Sequence, residues 1–276
     1  IATSVPRAAF AWVTKKLMGQ VNIPVITSNR INTPDVAEDV LATGCADMVS
    51  MARPMLADAH FVAKAMDGKT DQIAPCIACN QACLDHTFQN KRASCLVNPR
   101  ACYETELPMT KTDAAKRVAV IGAGPAGLAT AMTAAQVGHD VTLFDQADKI
   151  GGQLNMAKQV PGKEEFWGLV DWFETMIAET GVKTQLGQCV SAGDLTGFDA
   201  VVVATGVTPR DPEIPGQDSD KVCGYIDILQ GRVTPGDNVV VIGAGGIGFD
   251  VAEYLVEHEN LALDKEKWLA HWGIDE

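Results

Sequence analysis

The stretch "RVAVIGAGPAGLATAMTAAQVGHDVTLFD", residues 117 to 145, constrains the fold of this chain more than any other. It opens with an apolar strand and turns through Gly122, Gly124 and Gly127 in G-x-G-x-x-G order. An apolar helix is predicted over 126–137, and a second strand ends at Asp145. Strand, turn, helix and strand make a βαβ unit, which implies an α/β fold with a parallel sheet. Each glycine has its own reason. The first permits a tight turn, the second lets a pyrophosphate reach the backbone, and the third lets helix and strand pack closely. The helix start offers free N–H groups and partial positive charge to phosphate. Asp145, at a strand tip, is placed to accept bonds from ribose hydroxyls. The apolar run from Val118 is long enough to cross a bilayer, but its glycines, Pro125 and the acid-ended strand argue for a buried helix instead.

The pattern occurs twice. "DNVVVIGAGGIGFDVAEYLVEH" predicts a second strand, turn and helix, with Gly243, Gly245 and Gly248 in the same order. Upstream, "IPVITSNRI" predicts a strand from Ile23, and "TPDVAEDVLATG" a helix that Thr33 caps, Pro34 opens and Gly44 stops. "ADMVSMARP" predicts the next strand, Asp47 to Met51. Arg30 and Arg53 then follow two neighbouring parallel strands, where a pair of guanidiniums can clamp the phosphate of flavin mononucleotide. Solvated surface charge is the alternative. A later helix, in "PGKEEFWGLVDWFETMIAETGV", presents Phe166, Leu169, Val170, Phe173, Met176 and Ile177 on one face. Residues 107–116 lack periodicity and read as a linker.

Four of the eight cysteines crowd into twenty residues as C-x2-C-x3-C-x11-C: Cys76, Cys79, Cys83 and Cys95. Thiolates bind zinc or iron–sulfur clusters. Zinc sites usually pair two short knuckles across a gap. Three cysteines in one tight loop with a distant fourth suit the corners of a 4Fe–4S cluster better, and zinc stays the alternative. Cys45, Cys102, Cys189 and Cys223 are scattered and read as ordinary thiols. The net charge of −13, with 35 acids against 22 Lys and Arg, argues against nucleic acid or anionic membrane as a partner. No basic-then-apolar leader pattern follows Ile1, so the free thiols point to the cytoplasm.

The order "DKIGGQL", then "VVVATG", then a second glycine turn resembles the FAD half of two-dinucleotide flavoprotein reductases. Taken with "TSNRIN", "ADMVSMARPMLAD", "CIACNQACLD", "SCLVNPRAC" and "IGGQLNMAKQVPGKEEF", the chain resembles the bacterial NADPH-dependent 2,4-dienoyl-CoA reductase family. These are iron–sulfur flavoenzymes of the old-yellow-enzyme and trimethylamine-dehydrogenase-like group. The resemblance implies that residues 1–70 are the last strands and helices of a (β/α)8 barrel on the FMN side. It implies a 4Fe–4S segment over 71–110, a Rossmann-like FAD domain over 111–235 and the incomplete start of an NAD(P)H domain over 236–276. Arg30, Ala52 and Arg53 would hold FMN, and Cys76, Cys79, Cys83 and Cys95 the cluster. Asn80 and Gln81 would face the FAD and nicotinamide side. Ala126, Asp145, Gln153, Lys163 and Val190 would contact FAD, and the second glycine turn NADPH. The implied activity is reduction of a 2,4-dienoyl-CoA thioester in fatty acid β-oxidation, with electrons passing from NADPH through FAD, cluster and FMN. A related enoate reductase or amine dehydrogenase is the alternative, and an electron-transfer module feeding a partner protein is another. The family's tyrosine and histidine proton-handling residues are expected upstream of Ile1, so no catalytic residue is expected in this chain. It is expected to be an internal fragment, inactive by itself.

Overall fold

The computed structural model describes residues 3–257 and 259–275. The chain divides into two compact units. The first takes the described residues up to Pro108, then Gly162–Trp172, then the stretch from Glu259 on. The second takes Met109–Pro161 and the residues from Phe173 that precede Glu259.

In the first unit, β1 (Ile26–Ser28) and β2 (Met48–Ser50) pair in parallel, with Ile26 opposite Met48 and Ser28 opposite Ser50. The predicted start at Ile23 is corrected to Ile26: the Val25 N–H donates to the Asp47 carboxylate at 2.7 Å instead of to a ladder. The helix Pro34–Ala42 joins the two strands, and Gly44 follows it with φ +66°. Thr33 is the N-cap by backbone geometry, but its side chain makes no capping bond, and its hydroxyl is buried without a partner. The extended Thr33 backbone and Pro34 define the helix start without that hydroxyl. Ala11, Ile31, Val40 and Ala46 form a small core here. Residues from Glu259 on end in the helix Lys265–His271, whose Trp268 and Leu269 are buried with Ala9. They group with the first unit. Burial of the apolar pair Trp268–Leu269, with Leu261 and Ile274 packed beside it, is the reason.

The second unit holds a four-stranded parallel sheet in the order β5-β4-β3-β6, with β3 Arg117–Ile121, β4 Asp140–Phe144, β5 Lys183–Gln185 and β6 Ala200–Val203. The two central strands are near-continuous apolar runs because both faces of a parallel sheet are covered. Val118, Ala119 and Val120 on β3 and Val141, Leu143 and Phe144 on β4 are buried, with Leu128 and Ala131 of the helix Pro125–Gln136. β5 carries only polar, exposed residues and has no signal in the apolar pattern. The helix Glu165–Glu179, whose residues up to Trp172 group with the first unit, buries Leu169, Val170, Phe173 and Ile177 on the predicted face, and Trp172 as well. The Trp172 indole N–H is satisfied by the Gln72 carbonyl at 3.1 Å.

The second glycine turn lacks its strand. Val239–Ile242 forms no ladder, and Val240 and Ile242 are 86% and 72% exposed. No described segment pairs with this stretch, so its sequence pattern has nothing to bury against. The helix Gly246–Val256 does form, and its Val251 packs with Met156, Val160, Ile228 and Leu229. Among the described residues, no helix is long and apolar enough to cross a membrane.

Candidate functional site

Three features of the first unit converge on one cavity. Cys76, Cys79, Cys83 and Cys95 line it together with Arg53, Asn80 and Leu96, and it is small, with a volume of about 20 Å³. The backbone explains the convergence. Ala78 and Asn80 take left-handed conformations, with φ +51° and +62° on either side of Cys79, so the loop doubles back on itself. Such a conformation costs alanine about 1–2 kcal/mol. Gln81–Asp85, which carries Cys83, is a π-helical turn, a rare form frequent at functional sites. The Ser94 N–H then donates to the Ala82 carbonyl at 2.7 Å, which returns Cys95 beside Cys83. The Asn98 side chain fastens the following loop to the Leu56 carbonyl at 2.9 Å.

All eight cysteines are free thiols. Burial pushes Cys76, Cys79 and Cys95 up, and the Arg53 charge offsets part of this at Cys76. Among the described residues, no three His, Cys, Asp or Glu side chains are arranged to hold a metal ion. A tetrahedral zinc needs four sulfurs about 2.3 Å from one point. Here the four thiols line one cavity together.

The two arginines have different uses. Arg53 opens the helix Arg53–Ala57, with Ala52 as its N-cap, and donates from Nη1 to the Asn80 side-chain oxygen, joining the loop after β2 to the cysteine loop. Arg30 turns inward, with φ +52° and its side chain 4% exposed. Its Nη1 donates to Glu165 at 3.0 Å and its Nε to the Val5 carbonyl at 2.7 Å. The Arg30 guanidinium, expected to clamp a phosphate, engages a buried carboxylate 135 positions away. Glu165 also receives a two-pronged pair from Arg7, at 3.1 and 2.7 Å, and a bond from Asn32 at 3.0 Å. Burial pushes the Glu165 carboxyl up, but Arg7, Arg30 and Asn32 outweigh it and hold it below the usual range. Sequence reasoning missed Glu165 and Asn32, which no local period marks.

In the second unit the first glycine turn has the geometry a dinucleotide needs. Gly122 has φ +108°, and a methyl group there would lie 2.3 Å from the Ala204 carbonyl oxygen. At Gly127 it would lie 1.7 Å from the Gly122 oxygen, and at Gly124 it would meet nothing within 4 Å. Tight turn, close packing and open approach therefore fall on the first, third and second glycines. No side chain caps the helix Pro125–Gln136, and Ala126 is exposed in its first turn. Asp145 accepts from the backbone N–H of Ala123 at 2.5 Å and of Ala147 at 2.8 Å, so it holds the turn as well as ending β4. Gly152 packs over the turn, where an added methyl would be 2.9 Å from the Gly124 Cα. Gln153 donates to the Val207 carbonyl at 3.1 Å, and Val190 is half-buried after β5. Lys163 belongs to the first unit. The second turn repeats the first: Gly243 has φ +118°, Gly245 is the N-cap, and a methyl at Gly248 would lie 2.1 Å from the Gly243 oxygen.

Residues 116–264, more than half of the chain, match the pyridine nucleotide-disulphide oxidoreductase family. The chain belongs to this family. Residues 1–72 of this pyridine nucleotide-disulphide oxidoreductase also match the NADH:flavin oxidoreductase / NADH oxidase family. The two matches make it an old-yellow-enzyme-like flavoenzyme relative, with a portion of a flavin-oxidoreductase barrel followed by a Rossmann-like domain. It is 42% identical to a metal reductase of Desulforamulus reducens over 98% of this chain and 41% of that protein. It is 34% identical to a cinnamate reductase of Clostridium sporogenes over 85% of this chain and 35% of that protein. The chain thus spans about two fifths of the length of the curated relatives it matches. A 2-naphthoyl-CoA reductase in complex with 2-naphthoyl-CoA has TM-score 0.89 at 29% identity, over all of this chain and 45% of that one. Histamine dehydrogenase from Rhizobium sp. 4-9 has TM-score 0.76 at 26% identity, over 85% and 36%.

Proposed function

We propose that this chain is the cofactor-bearing portion of a flavin-dependent NAD(P)H oxidoreductase that reduces a C=C bond conjugated to an acyl thioester, with 2,4-dienoyl-CoA as the substrate class. The observation that carries this reading is the cavity lined by Cys76, Cys79, Cys83 and Cys95 with Arg53, in a chain whose first 72 residues match flavin oxidoreductases. Those four cysteines would hold a 4Fe–4S cluster, and Ala52 and Arg53 would hold the FMN phosphate. Asn80 and Gln81 adjoin the second cysteine. Gly122, Gly124, Ala126, Gly127, Asp145, Gln153 and Val190 would hold FAD, and Gly243, Gly245 and Gly248 the nicotinamide dinucleotide. The assignments of Asn80, Gln81, Lys163 and Val190 rest on the family resemblance. Flavins and cluster supply, when bound, the hydride and single-electron chemistry that side chains lack.

The chain's own residues bind and orient. The glycine turns present uncapped helix N-termini to pyrophosphate. Arg53 sets positive charge beside Cys76, and the four partly buried thiols line the cavity with it. The acyl-CoA named for the neighbouring structure supports a thioester substrate. A second reading, amine dehydrogenation, is supported by the likeness to histamine dehydrogenase.

Iron and acid-labile sulfide on the purified protein decide the cluster, with about four of each per chain expected. Tightly held zinc without iron overturns it. Anaerobic turnover with a 2,4-dienoyl-CoA, cinnamate and a methylated amine then separates the substrate classes. Activity on the amine alone rejects the thioester reading.

A further inference from the structure

Asn32 connects the cysteine cavity to the buried ion pair, and neither glycine turn nor cysteine spacing requires it. The residue is 4% exposed. Its side-chain N–H2 group donates to the Cys76 carbonyl at 3.1 Å and to Glu165 at 3.0 Å. Both partners only accept, so the amide can face just one way. Its own oxygen is buried without a partner, so no competing bond draws the side chain elsewhere. Glu165 in turn is held by Arg7 and Arg30. The first cysteine of the set is therefore tied by one amide to a buried carboxylate whose charge two guanidiniums counter.

We propose that Asn32 is a positioning residue for the cysteine set: it fixes the backbone of Cys76 against Glu165 and thereby tunes the reduction potential of the cluster those thiols hold. The inference rests on the cluster reading above. A donor to a ligand residue's carbonyl withdraws electron density and favours the more negative, reduced cluster. A carboxylate on the far side of the same amide disfavours it. Hydrogen bonds and local charge near a cluster are recognised levers on its potential.

The two groups must therefore act in opposite directions. Asn32→Leu removes the donor and lowers the potential. Glu165→Gln removes the negative charge, keeps the shape and raises it. Each is expected to change the oxidised-to-reduced ratio at fixed potential by at least about threefold, which is roughly 28 mV at 59 mV per tenfold for one electron. The experiment is an anaerobic redox titration followed by EPR on the purified protein with its cofactors, with iron, sulfide and flavin counted per chain in every variant. A parent protein without iron overturns the cluster reading, and this inference with it. A loaded parent whose loaded variants keep their midpoints, or shift them the same way, overturns the inference alone. A variant that loses iron while keeping its flavin supports the positioning role. One that loses iron and flavin together reveals general structural damage and overturns it.

Discussion

Gly127 and Gly124 occupy one motif, yet a methyl group would meet a carbonyl oxygen at 1.7 Å at the first and nothing within 4 Å at the second. Gly127→Ala should cost about 1–3 kcal/mol by overpacking, read as a fall in melting temperature. Gly124→Ala should leave the melting temperature in place and lower bound flavin, read from the visible absorbance of the purified protein. Equal losses of stability would show that both glycines serve packing alone. Glu165 makes a second residue-scale claim. Glu165→Ala strands the Arg30 guanidinium, whose side chain is 4% exposed, and should cost about 3–5 kcal/mol in chemical denaturation. Its carboxyl is held below the ordinary value of 4.5, so its contribution is complete above that pH and fades as pH falls through the lowered value. Glu164 works the other way, because burial pushes its carboxyl up. Acid titration of stability should therefore be shallower in Glu165→Gln than in the parent. An unchanged profile would mean that the ion cluster contributes nothing on folding.

The two glycine turns share a helix geometry but differ in the strand before it. β3 lies between β4 and β6, whereas Val239–Ile242 has no ladder. Similar apolar residues should thus differ sharply in worth. Leu143→Ala, at a fully buried position on β4, should cost about 2–5 kcal/mol. Ile242→Ala, at a position 72% exposed, should stay within about 0.5 kcal/mol. Urea unfolding of both variants tests the contrast, and a comparable cost at Ile242 would show that the stretch is covered in solution. The sequence pattern located β3 and β4 because their apolar runs are nearly continuous. It overlooked β5, whose Lys183, Thr184 and Gln185 are polar and whose place depends on pairing with Thr142, Leu143 and Phe144. It also overlooked the π-helical turn at Gln81–Asp85, because no side-chain period marks one widened turn.

At the scale of the whole chain, the units interleave in sequence: the first unit uses Gly162–Trp172, which lies between two segments of the second. A polypeptide of residues 1–108 should therefore fold poorly, since it keeps Arg7, Arg30 and Asn32 but lacks the Glu165 carboxylate they share. Circular dichroism melting should show a broad transition or none, and sharp cooperative unfolding would contradict this. The net charge of −13 was legible from composition and argues against polyanionic partners whatever the fold. The α/β class, the first glycine turn and the crowding of four thiols were also local facts, because turn chemistry and apolar period act over a few residues. Only the tertiary structure decided that Arg30 faces a carboxylate 135 positions later, that Asp145 braces the glycine turn, and that Cys95 returns to Cys83 through Ser94 and Ala82. Those outcomes depend on which distant segments share the low-dielectric interior, where a buried charge or unpaired polar group must find its partner, and spacing along the chain does not carry that information.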